Sequence, residues 1–128
     1  MFEVDGPAPI RIATCHFERA ESFWHRALGL VSRPRGLNRV DLVDGDGCTR
    51  LLIRRAPPPH RQHPRIMITV HDAADVPAAA QRLIALGASY PESHHLSHRG
   101  CAVLYDPDGN TIEIHTRASR RVIGGNPG

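Results

Sequence analysis

Lysine is missing altogether from this 128-residue chain, and all sixteen of its basic side chains are arginine. Those arginines are dispersed apart from the pairs Arg54–Arg55 and Arg120–Arg121, so the net charge of +3 is not gathered into a stripe that could track a phosphate backbone. No nucleic-acid partner is expected. Long hydrophobic runs are also absent: nothing approaches the roughly 18 apolar residues that span a bilayer. Met1–Ile10 has neither the basic stretch nor the apolar core of a secretory leader. No membrane partner is expected, and the expected location is the cytoplasm. Cysteine is scarce, with only Cys15, Cys48 and Cys101. An odd number with no CxxC pair excludes a disulfide framework and a structural zinc site. Aromatic residues make up only 5%.

What is present is an ordinary globular balance, 41% hydrophobic and 23% charged, in a length that suits one domain. Residues 9–15 alternate as a strand does, with Ile10 and Ile12 on one face. From Phe17 the period lengthens: Phe17, Ala20, Phe23/Trp24 and Ala27/Leu28 form the apolar stripe of a helix, and Gly29 stands where a left-handed cap is wanted. Strands are predicted at Leu30–Ser32, Arg39–Val43 and Thr49–Arg55, with turns at Pro34-Arg35-Gly36 and Asp44-Gly45-Asp46-Gly47. Residues 56–64 (APPPHRQHP) are too proline-rich for a central strand or a helix interior and read as a connector. The order then repeats. Arg65–His71 alternates, Asp75 can N-cap a helix with the stripe Val76, Ala79/Ala80 and Leu83, and Gly87 caps its end. Further strands are predicted at Ala88–Pro91, Cys101–Tyr105 and Thr111–Thr116.

The halves can be laid over one another. Ala27-Leu28-Gly29 returns as Ala85-Leu86-Gly87 after 58 positions, and the acidic turn Asp44–Gly47 returns as Asp106–Gly109 after 62. Similar offsets for unrelated features point to an internal duplication with a small insertion. One strand, one helix and three strands per half predict an α+β domain of two βαβββ modules, with helices outside curved sheets. Module one is expected at about 9–55, the connector at 56–64, module two at about 65–116, and a flexible tail at 117–128.

Two segments carry a family resemblance. Phe17–Leu30 (FERAESFWHRALGL) resembles the first helix of glyoxalase-like proteins. Asp106–Ile114 (DPDGNTIEI) resembles the most recognisable motif of the vicinal oxygen chelate superfamily, which includes glyoxalases, bleomycin-resistance proteins and dioxygenases. The resemblance covers about residues 9–116 and implies paired modules curving around a cleft for one small molecule. For the DPDGN residues a structural role is expected: a tight turn, allowed by Gly109 and Asn110, that sets the register of the last strand.

In metal-dependent members the family implies one ligand from the first strand and one from the last strand of each module, drawn from imidazole and carboxylate donors. Here the last strand of module two offers Glu113. The first strand of module one offers Pro9 or Arg11, that of module two Arg65 or Met67, and the last strand of module one Leu51 or Leu52. Three of four positions thus lack a donor under any register, and Arg65 would repel a cation. No cofactor is expected. An unconventional metal site would need Cys15, His71, Glu113 and His115 to converge. His94, His95 and His98 fall in a polar loop that reads as surface or as a lid.

Parity places Arg11, Arg54 and Arg65 on or near the cleft face, with Met67, His71, Glu113 and His115. Arginine forks suit carboxylate, phosphate or enolate oxygens. Histidine, with an ordinary pKa near 6.5, is the natural proton shuttle. Three readings follow. One is a metal-independent isomerase, cyclase or lyase in which Glu113 and His115 are catalytic, and Arg11, Arg54, Arg65, Met67 and His71 bind a small anionic substrate. A second is a sequestering protein of the bleomycin-resistance kind. A third is a metal-dependent glyoxalase or dioxygenase with an unusual ligand set. A homodimer is compatible with each, and a Glu113–arginine salt bridge with no chemistry is the bland alternative.

Overall fold

The computed structural model describes residues 9–57, 65–70, 72, 74–91 and 101–116, and the backbone of 3–4. In chain order the elements are β1 (Glu3–Val4), β2 (Ile10–Thr14), α1 (Phe17–Leu28), β3 (Val31–Pro34), β4 (Arg39–Val43), β5 (Thr49–Arg55), β6 (Arg65–Val70), α2 (Asp75–Leu86), β7 (Cys101–Tyr105) and β8 (Thr111–Thr116). They make two four-stranded sheets, ordered β2-β5-β4-β3 and β1-β6-β8-β7. In each half the strand before the helix pairs in parallel with the last strand, β2 with β5 and β6 with β8. The predicted α+β class and its repeated order are what the chain adopts.

The duplication extends to individual hydrogen bonds. Asp44 Oδ1 accepts from the N–H groups of Asp46 and Cys48, and Asp106 Oδ1 accepts from those of Asp108 and Asn110. Both turns need a positive φ at their glycine, +85° at Gly47 and +89° at Gly109, a region where a Cβ is strained. The offset changes past the turn. In the first half the register shifts between Leu42 and Val43, whereas β7 and β8 pair without a break. That bulge puts Leu51 and Ile53 in the positions that Ile112 and Ile114 hold in the second half, all four being core residues.

The core joins Ile12, Val40, Leu42, Leu51 and Ile53 to Phe17, Ala20, Phe23, Trp24 and Ala27 of α1, and Ile66, Ile68, Leu104, Ile112 and Ile114 to Val76, Ala80 and Leu83 of α2. Alternation then fixes the other face of each sheet, turned away from the helices.

Four details depart from the sequence reading. β1, which was not foreseen, pairs antiparallel with β6 through Glu3↔Thr69 and Val4↔Ile68. The predicted strand at Ala88–Pro91 is only a bridge between Ser89 and Tyr105, since Pro91 has no N–H with which to continue a ladder. The third strand of the first half runs Val31–Pro34 rather than Leu30–Ser32. Asp75 is inside α2 and does not cap it. The cap position is Ala74, already helical at φ −63° and ψ −22°, and Asp75 Oδ2 instead accepts from the N–H of Asp72. Gly29 does end α1 in the left-handed conformation, at φ +67°. His71, His94, His95, His98, most of the proline-rich connector and the tail 117–128 lie outside the described residues.

Candidate functional site

The second sheet's helix-free face carries most of the nominated residues. Register sets Arg65 beside Thr111, Met67 beside Glu113 and Thr69 beside His115 on β6 and β8, with Val103 and Cys101 next to Glu113 and His115 on β7. Glu113 is bonded at both oxygens. Arg65 Nε donates to Oε2 at 2.6 Å, and His115 Nε2 lies 3.1 Å from Oε1. A carboxylate only accepts, so the proton between them belongs to Nε2. The other imidazole nitrogen, Nδ1, is 3.3 Å from Cys101 Sγ. The result is one chain of contacts: Arg65, Glu113, His115, Cys101. Its outer end is wet and its inner end is not, with side chains 66% exposed at Arg65, 16% at Glu113 and 6% at His115.

Cys101 was not among the residues that sequence reasoning singled out. The signal was there, since a hairpin turning at Gly109 pairs Cys101 with His115 once Val103 is opposite Glu113.

Arg11 and Arg54 belong to the other sheet. Both are exposed on its helix-free face, where one row runs Arg11, Leu52, Asp41, Arg33 and the next Ala13, Arg54, Arg39. Arg55, one step on, lies 4.7 Å over the ring of Phe17 on the helix side. Asp41, also missed by sequence reasoning, has only 2% of its side chain exposed, and it accepts from Arg35 Nε at 3.1 Å and Arg39 Nε at 3.0 Å. Burial alone would raise its pKa. The two guanidinium hydrogen bonds outweigh that and hold it below the ordinary aspartate value. The remaining arginines give this face a surplus of positive charge around the floor made by Leu52.

The family resemblance implies metal ligands at Pro9 or Arg11, at Leu51 or Leu52, at Arg65 or Met67, and at Glu113. Leu51 is a core residue, and register sets Arg11 beside Leu52 and Met67 beside Glu113 on the helix-free faces. A guanidinium, an alkyl chain, a thioether and one carboxylate do not make a site for a hard or borderline divalent ion. Of the unconventional set Cys15, His71, Glu113 and His115, His71 lies outside the described residues. The two nitrogens of His115 point in different directions, one to sulfur and one to carboxylate, so the trio Cys101, His115 and Glu113 forms a chain and does not converge on a point. Cys15 lines a separate hollow. Among the described residues no group of three or more His, Cys, Asp and Glu could hold a metal.

That hollow, about 220 Å³, is where the DPDGN turn meets the first half, and Thr14, Cys15, His16, Arg19 and Asp108 line it. Thr14 Oγ1 donates to Asp108 Oδ2 at 2.9 Å, and Arg19 pairs with Asp108 Oδ1. Asp106 is buried beneath, taking hydrogen bonds from Trp24 Nε1 at 3.2 Å and Asn110 Nδ2 at 2.7 Å. Its pKa is raised by burial, against the pull of the hydrogen bonds from Asn110 and Asp108. The turn is thus tied within itself and also to Thr14, Arg19 and Trp24 of the first half, while the positive φ at Gly109 and the unbroken β7–β8 register fit the structural reading of the motif.

Comparison with known proteins gives a consistent picture. Residues 10–115 match the family model described as a glyoxalase-like domain. No curated protein matches. Among solved structures, the fosfomycin resistance protein FosX of Mesorhizobium loti superposes with a TM-score of 0.69 at 17% identity, over 94% of this chain and 99% of that one. A mutant FosX of Listeria monocytogenes, complexed with manganese(II) and 1S,2S-dihydroxypropylphosphonic acid, gives 0.69 at 15%, over 97% and 100%. The lactoylglutathione lyase of Agrobacterium tumefaciens gives 0.60 at 21%, over 88% and 95%. At these identities the likeness is one of fold.

Proposed function

The chain belongs to the glyoxalase-like domain family, and from that premise we propose that it acts on a small, anionic, oxygenated molecule by acid/base chemistry that needs no metal. The observation that carries this reading is the bonded chain Arg65–Glu113–His115 on the helix-free face of β6 and β8. Arg65 fixes the Glu113 carboxylate, which takes a proton from a carbon or hydroxyl of the substrate. In the same reaction His115, whose Nε2–H is held by that carboxylate, exchanges a proton with the substrate through its other nitrogen, Nδ1. Such a transfer serves isomerisation, cyclisation or elimination alike. Arg11 and Arg54, together with Arg65, supply charge for a carboxylate or phosphonate group. A solved structure of similar fold with 1S,2S-dihydroxypropylphosphonic acid bound supports that ligand class; that structure also holds manganese(II), whereas the chemistry proposed here uses none. His71, which lies outside the described residues, remains part of the proposed binding set.

One observation favours sequestration without turnover, the second reading. Both oxygens of Glu113 are already engaged by the protein, and the neighbouring Met67, Val103 and Tyr105 form a half-exposed apolar surface suited to holding a ligand. Pairing of two copies belongs to this proposal as well, because Val103 and Tyr105 of β7 present exposed apolar side chains.

The first test is metal content of protein purified without chelator or histidine tag, with melting temperature read on adding zinc, manganese, nickel or iron(II). Less than about 0.1 equivalent and no thermal shift is the expected result. Near one equivalent of a single metal, lost in Glu113→Gln, would overturn the reading. A screen of small phosphonates and hydroxy acids by thermal shift then finds ligands. Glu113→Gln and His115→Ala are expected to abolish turnover of a ligand while changing its affinity only a few-fold. Altered affinity with no turnover in wild type would make the protein a binder.

A further inference from the structure

Acid/base work by Glu113 and His115 leaves one reactive group unused. Cys101 Sγ sits 3.3 Å from His115 Nδ1, and His115 Nε2 sits 3.1 Å from Glu113 Oε1. Sulfur, imidazole and carboxylate therefore follow one another, with a guanidinium fixing the far end. Since the carboxylate obliges Nε2 to carry the ring proton, neutral His115 turns the lone pair of Nδ1 toward the thiol, and Cys101 S–H is the donor. This is the arrangement in which a base, itself oriented by a third group, takes a proton from a nucleophile. Cys101 is half-buried on the same helix-free face, beside Val103 and across from His115, and is not in a disulfide. The chain's two other thiols, Cys15 and Cys48, are exposed.

We infer that Cys101 is a nucleophile, served by His115 and Glu113, which adds reversibly to the carbonyl carbon of a small aldehyde or ketone held on this face. The step balances without a co-reactant. The thiol proton moves to His115 Nδ1, the sulfur–carbon bond forms as the carbon–oxygen π bond breaks, and the same proton returns from Nδ1 to the new oxygen. The product is a hemithioacetal, and its breakdown reverses each transfer. The inference rests on the same face as the proposed function but not on turnover or on an anionic substrate.

The test is therefore made without a substrate. Folded wild-type protein is treated with limiting iodoacetamide at neutral pH, and the alkylation rate of each cysteine is read by peptide mass spectrometry. Cys15 and Cys48 are the exposed internal controls. Cys101, though less accessible, is expected to react about tenfold faster than either. His115→Gln should remove that excess while the control rates stay fixed, and a partial loss is expected in Glu113→Gln. Pre-incubation with propanal should slow Cys101 alone, and dilution should restore it. Equal or slower reaction of Cys101 in wild type overturns the inference even if a variant fails to fold, and absence of propanal protection overturns its carbonyl class. Metal content and ligand turnover are separate readouts, so either proposal can fail while the other stands.

Discussion

Two buried aspartates of this chain titrate in opposite senses, and each sense follows from what surrounds the carboxyl. Asp106 is raised because burial dominates, so the folded state binds its proton more tightly than the unfolded chain does. Between 3.8 and its folded value stability therefore rises as pH falls, and Asp106 does not contribute to acid unfolding. Asp41 is lowered, because the hydrogen bonds from Arg39 and Arg35 outweigh its desolvation. Its contribution is complete above 3.8 and is lost as pH drops through the folded value. The covering arginines are themselves about half exposed, so the pair is screened and its worth is modest. Asp41→Asn is expected to flatten the loss of stability below about pH 4, read as denaturant midpoints across the acid range. An unchanged slope would show that the ion pairs do not form in solution. At this scale the sequence was partly legible. Alternation alone put Glu113, His115, Arg65 and Met67 on one face. Asp41 was invisible because its partner Arg35 is brought back only by a loop, closed by Arg35 N–H on the carbonyl of Arg39.

Elements were read more surely than residues where the signal was local. Both helices, the acidic turns and seven of the eight strands, β3 with shifted bounds, follow from periodicity and glycine placement. What failed depended on context. A bulge between Leu42 and Val43 cannot be told from a regular strand by pattern, yet it decides whether Leu51 or Leu52 takes the position matching Glu113. The short β1 has too few residues to show a period at all. Glycines at the element ends separate cleanly into required and replaceable. Gly87 closes α2 at φ +127°, with Pro107 Cγ 3.5 Å and Phe23 Cδ1 4.0 Å from where a Cβ would sit. Those are ordinary contacts, so the penalty of a side chain there is backbone strain. Gly87→Ala should cost about 1–3 kcal/mol. Gly45→Ala, at a position with no positive φ and no atom within 4 Å, should be nearly neutral in the same chemical denaturation series. Equal effects of the two would place the cost elsewhere than in φ.

Across the whole molecule, the halves of a duplicated chain could behave as two independent units, but the contacts of the DPDGN turn argue against it. Trp24 of α1 donates to Asp106, Thr14 and Arg19 hold Asp108, and Arg82 of α2 donates to the carbonyl of Arg26. The core cluster likewise contains residues of both halves. Trp24 is the only tryptophan, so its fluorescence reports the first half and its junction, while far-UV circular dichroism reports all elements. Wild-type protein is expected to give coincident denaturation curves by the two probes, the mark of one cooperative unit. Trp24→Phe keeps the ring but removes the indole N–H, leaving Asp106 Oδ2 to Asn110 alone. Loss of a donor to a buried carboxylate should cost about 1–3 kcal/mol. Circular dichroism should then show a single transition at lower denaturant. Two resolved transitions in wild type, with fluorescence changing in only one, would mean that the turn touches the first half without coupling it. The site on β6, β7 and β8 would then have to keep its geometry without support from α1.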